Sequence, residues 1–203
     1  ALLAQSGCRV TVFEKNEHLG GRLNYRERDG YFIDIGPSWF MQLDAWEQVF
    51  QVLGKDLYSE LNVKVLNPGY KIWFKDTNYK PLTVPSGNLS AVKELFDSIE
   101  PGAGDKLGKY LDHAESNYQV ANNNFLHRPY QSFFYDFISL FKKDVLLNLG
   151  WFDFIITVRS KIFSQFKDVR LRMIMEWIMT FVGAEPRKTP GLYTLMNPVS
   201  YTH

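Results

Sequence analysis

Apolar residues along the first sixty positions come in short runs separated by glycine and polar turns. Ala1 to Gln5 is the final turn of a predicted helix closed by Gly7, since a residue of positive φ commonly ends helices. Arg9-Val10-Thr11-Val12-Phe13-Glu14 is β-branched and aromatic, which predicts a buried parallel strand. Helix, glycine and strand then form the second half of a βαβ unit. A hairpin is expected around Arg28-Asp29-Gly30, with Tyr31 to Asp34 as its second strand, ending at Gly36-Pro37. Leu43, Trp46, Val49, Phe50 and Leu53 share one face of a helix from about Gln42 to Leu53.

Near Leu61 the pattern changes to alternation. Val63 to Leu66, Tyr70 to Lys75 and Pro81 to Val84 are separated by Asn67-Pro68-Gly69 and Asp76-Thr77-Asn78, which predicts three antiparallel strands with turns between them. Helices follow over Leu89 to Ile99, stopped by Pro101-Gly102, and from about Ala103 to Leu126. From Ser132 to Met196 the chain is helical and apolar, broken at Gly150 and over Ala184 to Pro190. The expected class is therefore α/β joined to α+β: residues 1–60 a partial Rossmann-like domain, and residues 61–203 an inserted antiparallel-sheet and helical domain.

Composition narrows the function. Hydrophobic residues at 45% against 22% charged provide a core and exclude a disordered chain. The formal net charge of +1 argues against a nucleic-acid binder. Cys8 is the single cysteine, so no intrachain disulfide forms and a reducing, cytoplasmic compartment is expected; beside Gly7 it reads as a small buried hydrophobe. No run reaches the roughly 18 apolar residues of a membrane span. The chain opens without Met and stops just after an apolar pattern, which suggests a fragment of a longer protein.

Glu14 ends the first expected strand, where a dinucleotide-binding fold places an acid that accepts hydrogen bonds from ribose hydroxyls, about 20 residues after a Gly-rich turn. Counting back that far leaves the chain, so the Gly-rich turn is expected upstream of Ala1. Taken alone, Glu14 reads more readily as a solvated strand end than as a cofactor ligand. Gly20-Gly21-Arg22 adds two residues without a Cβ and a planar cation suited to phosphate, or else an ordinary turn with a surface arginine. Asp34-Ile35-Gly36-Pro37 follows fourteen residues after Gly20, and the three elements together favour the cofactor reading.

Val12-Phe13-Glu14-Lys15, Leu19-Gly20-Gly21-Arg22-Leu23 and Gly30-Tyr31-Phe32-Ile33-Asp34-Ile35-Gly36-Pro37-Ser38 resemble the N-terminal region of FAD-dependent carotenoid desaturases, the phytoene and dehydrosqualene desaturase group of the flavin amine oxidase superfamily. The resemblance continues through Thr83-Val84-Pro85, Ser98-Ile99-Glu100-Pro101-Gly102, Phe181-Val182-Gly183-Ala184-Glu185-Pro186 and Thr189-Pro190-Gly191, in that order. It implies FAD as cofactor, with Glu14 and Lys15 at the ribose, Gly20, Gly21 and Arg22 along the pyrophosphate, and Gly36, Pro37 and Ser38 near the flavin. It also implies desaturation of a C30 or C40 polyene, the alternatives being a carotenoid isomerase or oxygenase of the same group, or a non-catalytic membrane-binding fragment.

Aromatic residues reach 16% of the chain, and twelve of them fall between Phe125 and Phe166. Residues 141–172 carry seven Lys/Arg against three Asp, a local +4, whereas residues 1–140 sum to −3. Basic and aromatic interleaving fits a monotopic membrane-docking face near Trp151 to Phe166, or a core helix pair with solvated cations. A peripheral membrane protein acting on a bilayer-borne polyene is the expectation. Asp136, amid Phe133, Phe134, Tyr135 and Phe137, is a candidate acid/base group in an apolar tunnel or a helix-surface carboxylate. His18, His113 and His127 show no ligand spacing, and no metal site is expected.

Overall fold

The computed structural model describes residues 1–37, 39, 40, 42–76, 78–126, 145 and 150–197. The chain divides into two compact units, Ala1–Lys64 and Val65–His203.

In the first unit a short helix α1 (Leu2–Gln5) ends at Gly7, whose φ is +84°. Strands β1 (Tyr25–Arg28) and β2 (Tyr31–Asp34) pair antiparallel with Arg28 opposite Tyr31. Asp29 and Gly30 both take positive φ, the mirror-image turn whose twist suits a two-residue hairpin. Tyr25 and Phe32 pack diagonally across the strands with ring centroids 5.5 Å apart. Helix α2 (Leu43–Val52) is followed by α3 (Leu57–Glu60), where the Asp56 carboxylate caps the Ser59 N–H at 2.7 Å. Among the described residues of this unit only Leu57 is buried.

The expected strand Arg9 to Glu14 does not form. A strand exists only through a neighbour that exchanges N–H and C=O groups with it, and no described segment pairs with residues 9–14. Phe13 accordingly stands 92% exposed. Cys8 is exposed as well, correcting its reading as a buried hydrophobe.

In the second unit β3 (Tyr70–Ile72) and β4 (Leu82–Val84) make a two-stranded antiparallel ladder. The third expected strand, Val63 to Leu66, is missing: the Val63 N–H bonds back to the Leu61 carbonyl at 2.9 Å, a tight bend, and Val65 and Leu66 lie exposed. Helix α4 (Leu89–Ile99) starts at Asn88, whose side chain accepts the Ala91 N–H at 3.1 Å. Helix α5 (Ala103–Ala121) buries Ala103, Leu107, Tyr110, Ala114 and Asn117, the three-and-four spacing of one face, and runs into a π-helical turn Asn122–Leu126. A 3₁₀ turn Trp151–Phe154 leads to α6 (Val158–Gln165) and α7 (Val169–Glu176), followed by 3₁₀ segments Trp177–Thr180 and Gly191–Met196.

The core of this unit gathers Val92 and Phe96 of α4, Leu107 and Tyr110 of α5, Ile162 of α6, Phe166, and Leu171 and Ile174 of α7. Glu100, from the Ser98-to-Gly102 motif, ties the corner between α4 and α5 to the start of α7. Its carboxylate accepts the N–H groups of Lys167 (2.7 Å) and Asp168 (2.9 Å) and the Lys106 ammonium (2.7 Å). No helix among the described residues is long and apolar enough to cross a membrane.

Candidate functional site

Two places bring polar chemistry together. In the first unit, the Gly20-Gly21 turn and the end of β2 meet at the open end of the hairpin. Gly20 has φ +115° and Gly21 +57°, and the Leu23 N–H closes the turn on the Gly20 carbonyl at 2.9 Å. The Ile35 N–H bonds the Asn24 carbonyl at 3.0 Å, which seats Gly36 directly on the Arg22 backbone: a Cβ at position 36 would overlap the Arg22 carbonyl oxygen. Gly20-Gly21-Arg22 and Gly36-Pro37 are thus spatial neighbours. Arg22 is exposed and makes no ion pair among the described residues. Glu14 is exposed, its Oε1 accepting the Asn16 N–H at 2.8 Å, and Lys15 beside it is exposed too. A carboxylate acceptor, a permanent cation and Cβ-free backbone have the chemistry that ribose hydroxyls and a pyrophosphate require. Ser38 and Asp136 lie outside the described residues.

The second place is absent from the sequence expectations. Asp153, in the middle of Trp151-Phe152-Asp153-Phe154, turns its carboxylate inward, its side chain only 5% exposed. Its Oδ2 accepts the Lys161 ammonium at 2.6 Å, the Asn117 amide at 2.9 Å and pairs with His113 Nε2 at 2.8 Å. Lys161, 8% exposed, also donates to the Thr194 hydroxyl at 3.1 Å. Asn117 completes the ring by accepting the Gly150 N–H at 2.9 Å. Helices α5 and α6, the Trp151 turn and the Gly191 segment are therefore tied to one carboxylate, with His113, 45% exposed, at its solvent side.

Burial by itself disfavours the Asp153 carboxylate, but the hydrogen bonds and charges of Lys161 and His113 outweigh it and hold its pKa below the usual aspartate value. Burial likewise pulls the Lys161 ammonium below its usual value, offset in part by Asp153. For Glu100 burial is again outweighed, by Lys106 and by the backbone N–H groups of Asp168 and Lys167, so its pKa is lowered. Carboxylates whose folded pKa is depressed contribute stability that is present above their unfolded values, about 4, and lost as pH falls through the lower folded ones. Urea midpoints are therefore expected to stay level from pH 7 to about pH 5 and to drop between about pH 4 and pH 2. A drop that begins near pH 6 contradicts this assignment.

The inward Asp153 explains what the rest of that turn does. A 3₁₀ helix repeats every three residues, so Trp151 and Phe154 fall on one side, where their rings stack at 5.6 Å. Phe152 and Ile155 point outward, 73% and 80% exposed. Within Trp151 to Phe166, Val158, Ile162 and Phe166 are core residues, while Trp151, Phe152, Phe154 and Ile155 are exposed. Much of the local basic charge is also used internally: Lys161 by Asp153, Arg170 by a two-pronged contact with Asp168 at 2.8 and 2.9 Å, and Arg159 and Arg172 over the Phe163 ring at 4.4 and 4.1 Å.

The Cβ-free Gly20-Gly21 turn and Gly36 thus adjoin on the hairpin, with Arg22 exposed and without an ion pair among the described residues. A family model, flavin containing amine oxidoreductase, matches residues 1–197, and the chain belongs to that family, whose cofactor is FAD and whose cofactor domain is Rossmann-like. The chain is 34% identical over 200 residues to a carotenoid 3,4-desaturase of Haloarcula japonica, covering 98% of this chain and 39% of that relative. It is 29% identical over 198 residues to a 4,4'-diapophytoene desaturase (4,4'-diaponeurosporene-forming) of Staphylococcus aureus, covering 97% of this chain and 38% of that relative. The chain thus spans about two fifths of the length of these curated relatives.

Proposed function

We propose that the whole protein is an FAD-dependent desaturase of a C30 or C40 polyene precursor, of phytoene or dehydrosqualene type, in carotenoid biosynthesis. The observation that carries this reading is the similarity to two carotenoid-pathway desaturases along nearly the full length of this chain. When bound, FAD supplies the hydride acceptor that no side chain provides. Glu14, with Lys15 next to it, accepts hydrogen bonds from the ribose hydroxyls. Gly20 and Gly21 let the backbone approach the pyrophosphate, and Arg22 balances its charge. Gly36, Pro37 and Ser38 border the flavin, and Asp136 is the candidate proton acceptor. Residues 1–60 supply part of the cofactor domain, and residues 61–203 part of an inserted domain for substrate and membrane.

The partners are then a polyene isoprenoid and the membrane surface that holds it, with the protein peripheral to the membrane on its cytoplasmic side. Trp151, Phe152, Phe154 and Ile155 support this, since four adjacent exposed apolar side chains suit burial in a bilayer interface.

The test is expression of the complete gene in cells that accumulate phytoene or dehydrosqualene. Desaturation gives pigment absorbing at longer wavelength, because each new double bond extends the conjugated system. A changed isomer of unchanged chromophore length would make the protein an isomerase, oxygen-bearing products an oxygenase, and unaltered precursor with FAD-free protein a membrane-binding remnant.

A further inference from the structure

A carboxylate enclosed by protein donors is a bound anion, whether the chain supplies it or the solvent does. Asp153 Oδ2 accepts three such donors: the Lys161 ammonium at 2.6 Å, His113 Nε2 at 2.8 Å and the Asn117 amide at 2.9 Å. An ionised carboxylate can only accept, so His113 carries a hydrogen on Nε2 whether its ring is neutral or protonated. All three donors belong to α5 and α6, and none to the turn that brings the carboxylate. Lys161 also has holds of its own, since it donates to Thr194 Oγ1 at 3.1 Å and lies 5.6 Å from the centre of the Tyr110 ring. The donor set is therefore built from elements other than the one it receives.

The turn that supplies Asp153 is fastened at its two ends by bonds in which that carboxylate takes no part. At the near end the Gly150 N–H bonds Asn117 Oδ1 at 2.9 Å. At the far end the Gly191 N–H bonds the Ile156 carbonyl at 2.7 Å, the Val158 N–H bonds the Thr189 carbonyl at 2.9 Å, and Thr157 bridges to Pro190. Between these ends apolar burial contributes little, because Phe152 and Ile155 are largely exposed and Trp151 and Phe154 partly so. The inward pull falls on the one buried carboxylate. Space around it is small: a Cβ on Gly150 would stand 3.0 Å from both Asp153 Oδ2 and His113 Nε2. The site has room for a carboxylate group and little more.

We propose that Lys161, Asn117 and His113 form a carboxylate-binding site that Asp153 fills in cis, making residues 150–156 a strap fastened at both ends and pinned at its middle, and that free formate takes the same place once the pin is cut. The strap is pinned by charge and not by its apolar side chains, which explains how four large apolar residues stay outward while the single carboxylate among them turns in. Cutting the pin frees the middle of the strap and leaves its ends attached.

The test is chemical rescue of Asp153→Ala in the whole protein at pH 7 and constant ionic strength. This substitution removes the atoms of one carboxylate group and leaves the three donors. Lys161 is then buried without its counter-charge, so the variant should unfold about 5 °C or more below the parent. Hydrogen exchange at the amides of residues 151–156 should quicken about tenfold or more while α4 stays protected. Sodium formate should recover at least half of both losses, sodium chloride and the bulkier butyrate should not, and the parent should gain no more from formate than from chloride. Asp153→Ala/Lys161→Met lacks the cation that the anion answers, and formate should leave it unchanged. Equal recovery with chloride, no recovery with formate, or a formate response that survives in the double variant overturns the carboxylate site. Protection lost equally from α4 overturns the strap, because Asp153 would then hold the whole unit together. Should Asp153→Ala fail to fold, Asp153→Asn, which keeps the shape without the charge, takes its place, and strap amides that exchange no faster than in the parent overturn the proposal.

Discussion

Gly36→Ala is expected to strip flavin from the whole protein by a clash within the chain, whereas Gly21→Ala obstructs only the approach of the pyrophosphate. The two glycines differ in the reason for being glycine. At Gly21 a Cβ would meet no atom of the chain within 4 Å, and the obstacle within the protein is a left-handed φ of +57°, which costs an alanine about 1–2 kcal/mol. At Gly36 the Cβ would overlap the Arg22 carbonyl oxygen, a backbone atom that no rotamer change can move. Relief requires parting the end of β2 from the Gly20-Gly21-Arg22 turn, the two elements assigned to the pyrophosphate and the flavin. Overpacking of this kind costs about 1–3 kcal/mol, and because it falls on the binding geometry it becomes roughly a ten- to hundredfold loss in FAD affinity. Flavin absorbance relative to protein after gel filtration measures it. Full occupancy in Gly36→Ala would remove Gly36 from the cofactor site.

Local signals carried the sequence reading a good distance. Asp29-Gly30 specifies a tight hairpin through two positive-φ residues, and β1 and β2 form there. Pro101-Gly102 stops a helix predicted over Leu89 to Ile99, and α4 spans those residues, capped by Asn88. The failures share a cause. Residues 9–14 have strand composition, but a strand is a property of a pair, and composition says nothing of whether a partner lies alongside. Val63 to Leu66 alternates correctly yet bends, because four residues of pattern do not by themselves supply a strand to pair with.

The Asp153 cluster was hidden for a different reason. Its members stand 40, 36, 33 and 8 positions apart in the chain, separations with no helical or strand period. One signal was nonetheless available. On α6 the core positions are Val158, Ile162 and Phe166, and Lys161 falls on that same face by helical spacing. A lysine on a core face needs a buried counter-charge, and the carboxylates flanking it in the chain are Asp153, eight residues before, and Asp168, seven residues after. In the run Trp151 to Ile155 the apolar side chains face out and the lone carboxylate, Asp153, faces in.

Phe166→Ala is expected to produce the largest loss of folding stability in the second unit, about 3–5 kcal/mol. Phe166 sits between α6 and α7 with no exposed surface, and its ring meets Phe96 of α4 edge-on at 5.8 Å and Tyr110 of α5 at 6.4 Å. One side chain thus joins all four helices of that core. Removing it deletes the transfer free energy of a buried ring, leaves a cavity that these helices cannot close without breaking the Glu100 contacts to Lys167 and Asp168, and forfeits two edge-to-face contacts. Tyr110 makes matters worse: burial already raises its hydroxyl pKa, and a neighbouring void gives that hydroxyl no new partner. Phe166→Leu keeps most of the volume and should cost less than half as much. Urea unfolding of the whole protein, followed by a probe in the second unit, distinguishes the two. Equal losses for Ala and Leu would mean that the ring contacts govern this site, and a loss below about 1 kcal/mol for Phe166→Ala would mean that Phe166 is not the hub of the core.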